Sequence, residues 1–174
     1  WSSDVCSSDL KGNTETKSRI RTWPNNVDKS ISITSAKVKT MTKEDNEIID
    51  LKDEIEVLIE YTVNKPIKYA NISLSLFKEG VLLFRTWDLD TDSTTHVDRQ
   101  PGKYLAKLTL PDFLQTGSYS INIASGMPGI GIIEVKEDAL NFEIENLSID
   151  GKAQSFTRGG LIKTQIKWET QFIQ

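Results

Sequence analysis

Apolar and polar residues alternate through most of this chain, at the period of two that a half-buried strand requires. Ile55, Val57, Ile59, Tyr61 and Val63 alternate with Glu54, Glu56, Leu58, Glu60 and Thr62, and Asn64-Lys65-Pro66 closes the run. The next run places Ala70, Ile72, Leu74 and Leu76 inward. Further upstream, Ile31 and Ile33 share one face while Ala36 and Val38 lie on the other. The buried face therefore changes midway, as it does where a strand bends. Tyr104, Ala106, Leu108 and Leu110 mark another strand, which Pro111 ends because proline cannot donate to a ladder. After a corner from Asp112 to Gly117, with Phe113 and Leu114 turned inward, Tyr119, Ile121 and Ile123 face the core and Ser118, Ser120 and Asn122 face out. Leu140, Phe142 and Ile144 mark one more strand, and Leu161 to Trp168 a last one.

No long segment has a period of 3.6, so the expected class is all-β. Tyr119 follows a glycine-containing corner at the start of a late strand, which fits the tyrosine corner of an immunoglobulin-like antiparallel β-sandwich. Lys78-Glu79-Gly80 reads as a three-residue hairpin loop, which sets a register. Phe77 is expected opposite Val81, Ser75 opposite Leu83, Ser73 opposite Arg85, and Asn71 opposite Trp87. The expected core pairs are Leu76 with Leu82, Leu74 with Phe84, and Ile72 with Thr86.

Composition narrows the functional classes. The chain carries 21 basic and 25 acidic residues, and no basic patch points to nucleic acid. No apolar run approaches the roughly 20 residues needed to span a bilayer as a helix. Residues 1–10 are expected not to belong to the protein. Asp4 to Leu10 back-translates as GAC GTG TGC TCT TCC GAT CT, which resembles a common sequencing adapter read as coding sequence. On that reading the chain is a piece of a longer polypeptide, residues 11–28 are a linker, and 29–174 form the sandwich. The only cysteine, Cys6, then drops out, and with it any disulfide or thiol chemistry.

Catalytic constellations are hard to assemble. His96 is the sole histidine, with no nucleophile and orienting acid in a known spacing. Asp88, Asp90 and Asp92 have the opening spacing of a calcium loop, but Ser93 stands where glycine is needed and Arg99 where the bidentate glutamate should be. They read as an acidic exposed loop. Gly126 to Gly131 lacks the lysine and hydroxyl of a phosphate-binding loop, so its glycines are assigned to turn geometry. Glu54, Glu56 and Glu60 read as a solvated or edge-protecting row. A binding face survives better: Trp87, Arg85, Asn71, Ser73 and Tyr69 are expected on the outer side of one sheet, joined by Ser120 and Asn122 from a neighbouring strand. An aromatic ring beside amide, hydroxyl and guanidinium groups suits a sugar, because the ring covers C–H faces while the polar groups bond hydroxyls.

Several fragments in order carry a resemblance. They are Arg21-Thr-Trp23 with Asn25-Asn26, Gly80 to Trp87, Pro101-Gly102-x-Tyr104, Leu110-Pro111, Gly117-x-Tyr119, Asp138-Ala-Leu-x-Phe142, and Arg158-Gly-Gly-x-Ile162 with Trp168. Together they resemble the C-terminal domain of the ATP-binding subunit of Wzt-type polysaccharide ABC transporters, over most of residues 21–169. The resemblance implies a non-catalytic domain that binds an undecaprenyl-linked polysaccharide before export, at the cytoplasmic face of the membrane. It also implies a homodimer formed through exchange of C-terminal strand material, and a transmembrane exporter subunit as partner of the parent chain. ATP and magnesium would belong to an upstream domain, since neither nucleotide motif is present here. Two alternatives stand beside it: a structural dimerisation module without glycan contact, and a secreted adhesin-like sandwich.

Overall fold

The computed structural model describes residues 18–45, 47–90, 98–147, 160–163 and 167–171. The strands are β1 (Ile20–Thr22), β2 (Ile31–Thr40), β3 (Ile49–Asp50), β4 (Ile55–Val63), β5 (Asn71–Lys78), β6 (Val81–Trp87), β7 (Gly102–Thr109), β8 (Gly117–Met127) and β9 (Gly131–Glu145). They build two sheets, ordered β1-β2-β4-β7 and β3-β9-β8-β5-β6. All pairings are antiparallel except β3 with β9. The class is all-β, a two-sheet sandwich, with Ile33, Val38, Val57, Leu74, Ile121 and Phe142 among the side chains buried between the sheets.

The change of face in β2 has a local cause. Its register against β4 slips between Ile33 and Ser35, so Thr34 is the extra residue of a bulge. Ile31 and Ile33 before the bulge and Ala36 and Val38 after it all end up buried. The irregular Ile33 amide is taken by a carboxylate from the other sheet: Glu134 Oε2 accepts it at 2.6 Å. Lys29 at 3.0 Å and Lys136 at 3.2 Å pair with the same carboxylate. Burial pushes Glu134 up, but the Ile33 amide and the two lysines outweigh it and hold the carboxyl below its ordinary value.

The corner is present as expected. The Tyr119 hydroxyl donates to the Gln115 carbonyl at 2.5 Å, and its ring stacks on Phe142 with centroids 5.2 Å apart. Burial pushes the phenol up to about 12.

Four expectations are corrected. Glu54 and Glu60 of the Glu row are exposed as expected, but the row is not an edge, because β4 lies between β2 and β7, and Glu56 is buried under Lys39 and Lys107. Lys107 and Lys39 lower the Glu56 carboxyl by hydrogen bonding and charge. The stretch expected as a linker contains β1, which pairs with β2. Leu161 to Trp168 is no strand among its described residues: only Ile162 pairs, in a single bridge to Leu114.

The β5–β6 register also differs. Glu79 and Gly80 both have positive φ, 50° and 80°, so the loop has two residues in a type I′ turn and Lys78 already pairs with Val81. A bulge between Phe77 and Leu76 then inserts Leu83 opposite them. Two one-residue shifts add up to two, which restores the expected faces but moves the partners: Ser75 opposes Arg85 and Ser73 opposes Trp87. Between turn and bulge the face stays inverted. Leu82 pairs with Phe77 and is 48% exposed instead of lying in the core.

Candidate functional site

The outer face of the five-stranded sheet carries a groove of about 620 Å³. Strand pairing fixes how it is built. One row across the sheet reads Trp87, Ser73, Ala124, Val135, and the next reads Arg85, Ser75, Asn122. A third reads Asn71, Gly126, Ile132. Small side chains thus occupy the two central strands, β5 and β8, while larger ones rise from β6 and β9 on either side. A floor of small residues between tall flanks is what makes a flat sheet concave.

The β8–β9 hairpin forms one end of the groove. The Ile130 amide donates to the Met127 carbonyl at 3.0 Å across Pro128-Gly129, and Gly129 has φ +74°. Pro at the second position and a positive-φ glycine at the third specify a type II turn. Gly126 is needed for a different reason: a Cβ there would lie 2.8 Å from the Gly131 carbonyl oxygen, so only glycine lets the two arms approach. The expected assignment of this loop to turn geometry is correct. Ile130 and Ile132 are each 72% exposed along it.

On the β9 side the register jumps from Ile123–Lys136 to Ile121–Leu140, leaving Glu137, Asp138 and Ala139 opposite Asn122 alone. Asp138 adopts φ +43°, and its amide donates to Asn122 Oδ1 at 2.9 Å. Asn122 therefore holds a bulge that carries Glu137 to the groove wall. On the β6 side, Arg85 Nε donates to Ser75 Oγ at 2.9 Å. Trp87 is 41% exposed, and its amide and the Thr86 hydroxyl both donate to Asp90 Oδ2, at 2.7 and 2.8 Å.

Of the residues expected on this face, Trp87, Arg85, Asn71, Ser73 and Asn122 line the groove. Tyr69 does not: with φ +56° it precedes β5, so the alternation that would have carried it outward is broken. Ser120 does not either, because it lies beyond Asn122 in a row with Phe77 and Asn141. Ser75, Val135, Ile132 and Glu137 were missed. The Pro128-Gly129 pair between two alternating runs was the available signal, since it marks a hairpin and hence a strand directly after it.

The calcium-like spacing is put to another use. Asp88 pairs with Arg99 and accepts the Ile72 amide at 3.0 Å, so the position of the missing glutamate supplies a cation instead. Burial pushes the Asp88 carboxyl up to about 6, and lowers the Arg99 guanidinium. Arg99 Nε also donates to the Ala70 carbonyl at 3.1 Å, and its guanidinium lies 5.3 Å from the Tyr61 ring centre. The acidic loop is thus tied down at Asp88 and Asp90. Asp92, His96 and Cys6 lie outside the described residues, among which no group of three or more metal-ligating side chains occurs.

A family model described as the Wzt C-terminal domain matches residues 25–162. The chain belongs to that family. Its members are the carbohydrate-binding, non-catalytic domains of ABC exporter subunits. A solved structure described as the crystal structure of the C-terminal domain of Wzt superposes with a TM-score of 0.67. It is 11% identical, and the match covers 82% of this chain and 85% of that one, which supports the shared fold. No curated protein sequence matches the chain significantly. Among the described residues, no helix is long and apolar enough to cross a membrane.

Proposed function

We propose that the groove on the outer face of the five-stranded sheet is where this Wzt C-terminal domain holds its glycan. The observation that carries the reading is the row pattern itself, with Ser73, Ser75, Ala124 and Gly126 as floor and Trp87 and Arg85 as one wall. A half-exposed indole covers the C–H face of a pyranose, while hydroxyl, amide and guanidinium groups meet its hydroxyls. The ligand is an undecaprenyl-linked polysaccharide, bound at the cytoplasmic face of the membrane before export. ATP and magnesium act on an upstream domain of the parent chain, which also contacts the transmembrane exporter subunit. Nucleic acid is not a partner.

Isothermal titration of the chain with lipid-free glycan from its own source tests the reading. Binding is expected, and Trp87→Ala is expected to weaken it at least about tenfold, the scale of losing a buried aromatic contact. Equal heats from wild type and variant would remove the groove from consideration.

A second reading is favoured by a specific observation. Ile162, Ile166 and Trp168 alternate with Lys163, Gln165 and Lys167, a strand pattern, yet Trp168 is 86% exposed and, among the described residues of this stretch, only Ile162 bridges to the sandwich. A segment with strand pattern whose described residues make a single bridge to their own sandwich suits pairing with a second copy. The domain then acts as a homodimer, whose dimerisation either accompanies glycan binding or replaces it.

A further inference from the structure

We propose that the groove selects a saccharide bearing an anionic substituent, a carboxylate or a phosphate, which is seated on Arg85 while the sugar ring lies on Trp87. The inference rests on the glycan reading of the groove and adds the chemical class of its ligand.

The argument starts from where the acids are. Asp88 is committed to Arg99 and the Ile72 amide, and Asp90 to the Thr86 hydroxyl and the Trp87 amide. Glu137 lines the same groove, but it stands on β9 while Arg85 stands on β6, with β8 and β5 between them. Three strand spacings amount to about 14 Å. That is the separation of the two backbones, and no ion pair joins the two side chains. Among the described residues Arg85 therefore has no carboxylate partner, although it lines a groove otherwise furnished with neutral groups on its own side.

Its geometry is also set. The Oγ of Ser75, which is 6% exposed, accepts the Nε–H hydrogen bond and fixes the plane of the guanidinium from the floor. The terminal nitrogens keep their donors, which is the edge that binds carboxylate or phosphate with two parallel hydrogen bonds. Arg85 and Trp87 are two residues apart on one face of one strand, about 7 Å along it. A ring stacked on Trp87 thus places an acidic substituent within reach of the fork. A neutral sugar would satisfy Trp87 and the floor and leave the cation without a counter-charge.

Amide and side-chain NMR titration of the whole chain with D-glucuronate, D-glucose 6-phosphate and D-glucose tests this at low salt. At least one anionic sugar is expected to shift the Trp87 indole and Arg85 Nε signals with a Kd at least about tenfold below that of glucose, in line with charge-assisted hydrogen bonds. A preference between the two anionic sugars names the acid. Arg85→Gln is expected to erase the difference between the anionic sugars and glucose, with the melting temperature checking that the fold is kept, since Arg85 is exposed. Glucose binding as tightly as both anions, or a preference that survives Arg85→Gln, overturns the proposal and leaves the groove reading intact. Inorganic phosphate binding as tightly as glucose 6-phosphate overturns it too, because the sugar then plays no part. If no saccharide moves any groove signal, the glycan reading falls and this inference with it.

Discussion

Tyr119 shows how much one residue settles. Its hydroxyl ties the start of β8 to the preceding corner through the Gln115 carbonyl, and its ring stacks on Phe142 of β9. Tyr119→Phe keeps the stacking and leaves that carbonyl unpaired, which is expected to cost about 1–2 kcal/mol in denaturant unfolding. The phenol adds a pH signature. Its folded value is raised from 10.0 to about 12, so its contribution is whole below pH 10 and disappears as pH climbs toward 12. Thermal unfolding across that range should show an alkaline loss in wild type that Tyr119→Phe lacks. Asn122 is a comparable case at the groove. It was legible as an outward residue of β8, but its use of Oδ1 on the Asp138 amide was not, because a bulge sixteen positions away supplies the donor.

At the scale of elements, the β8–β9 hairpin decides the groove's shape. Gly126→Ala brings a Cβ to 2.8 Å from the backbone of the opposite arm, where no flexible side chain can give way. The arms must splay, at a cost of about 1–3 kcal/mol by the usual scale of overpacking. Two readouts should move together: a lower melting temperature and weaker glycan binding. Loss of stability with unchanged affinity would separate the hairpin from the site. The β5–β6 hairpin makes the complementary point about register. Alternation identified both strands and which face of Arg85 and Trp87 looks outward. It did not reveal a two-residue turn followed by a compensating bulge, since turn and bulge each shift the count by one and only their sum preserves the pattern.

For the whole molecule, the link between sheets matters most. Glu134 of β9 accepts the Ile33 amide of β2 and gathers Lys29 and Lys136. Its carboxyl is held below the ordinary 4.5, so the folded state binds fewer protons than the unfolded one. The resulting stability is present above pH 4.5 and is lost as pH falls through the lowered value. Glu56, held low by Lys107 and Lys39, adds to the same acid limb. Glu134→Gln should cost about 2 kcal/mol at pH 7 and flatten that limb in pH-dependent unfolding. A steep acid limb retained in this variant would assign it to other carboxylates. Assembly is tested at this scale as well: ending the chain after Lys163 is expected to turn a dimer into a monomer by analytical ultracentrifugation. Wild type sedimenting as a monomer at micromolar concentration would refute strand pairing through the tail.

The linear order of residues was enough to specify an all-β sandwich, the corner at Tyr119, the change of face in β2, and an outward face carrying Trp87, Arg85, Asn71, Ser73 and Asn122. All of these follow from period-two alternation and from turn chemistry, which act over a few neighbouring positions. Tertiary structure decided the rest. Burial of Glu56, the clamp of Glu134 on Ile33, the pairing of Asp88 with Arg99 and the bulge behind Glu137 each join residues distant in the chain. A carboxylate or a serine looks the same in sequence whether water or a lysine waits opposite it. Only the stacking of strands in a definite order places small residues along β5 and β8 between the tall flanks of β6 and β9.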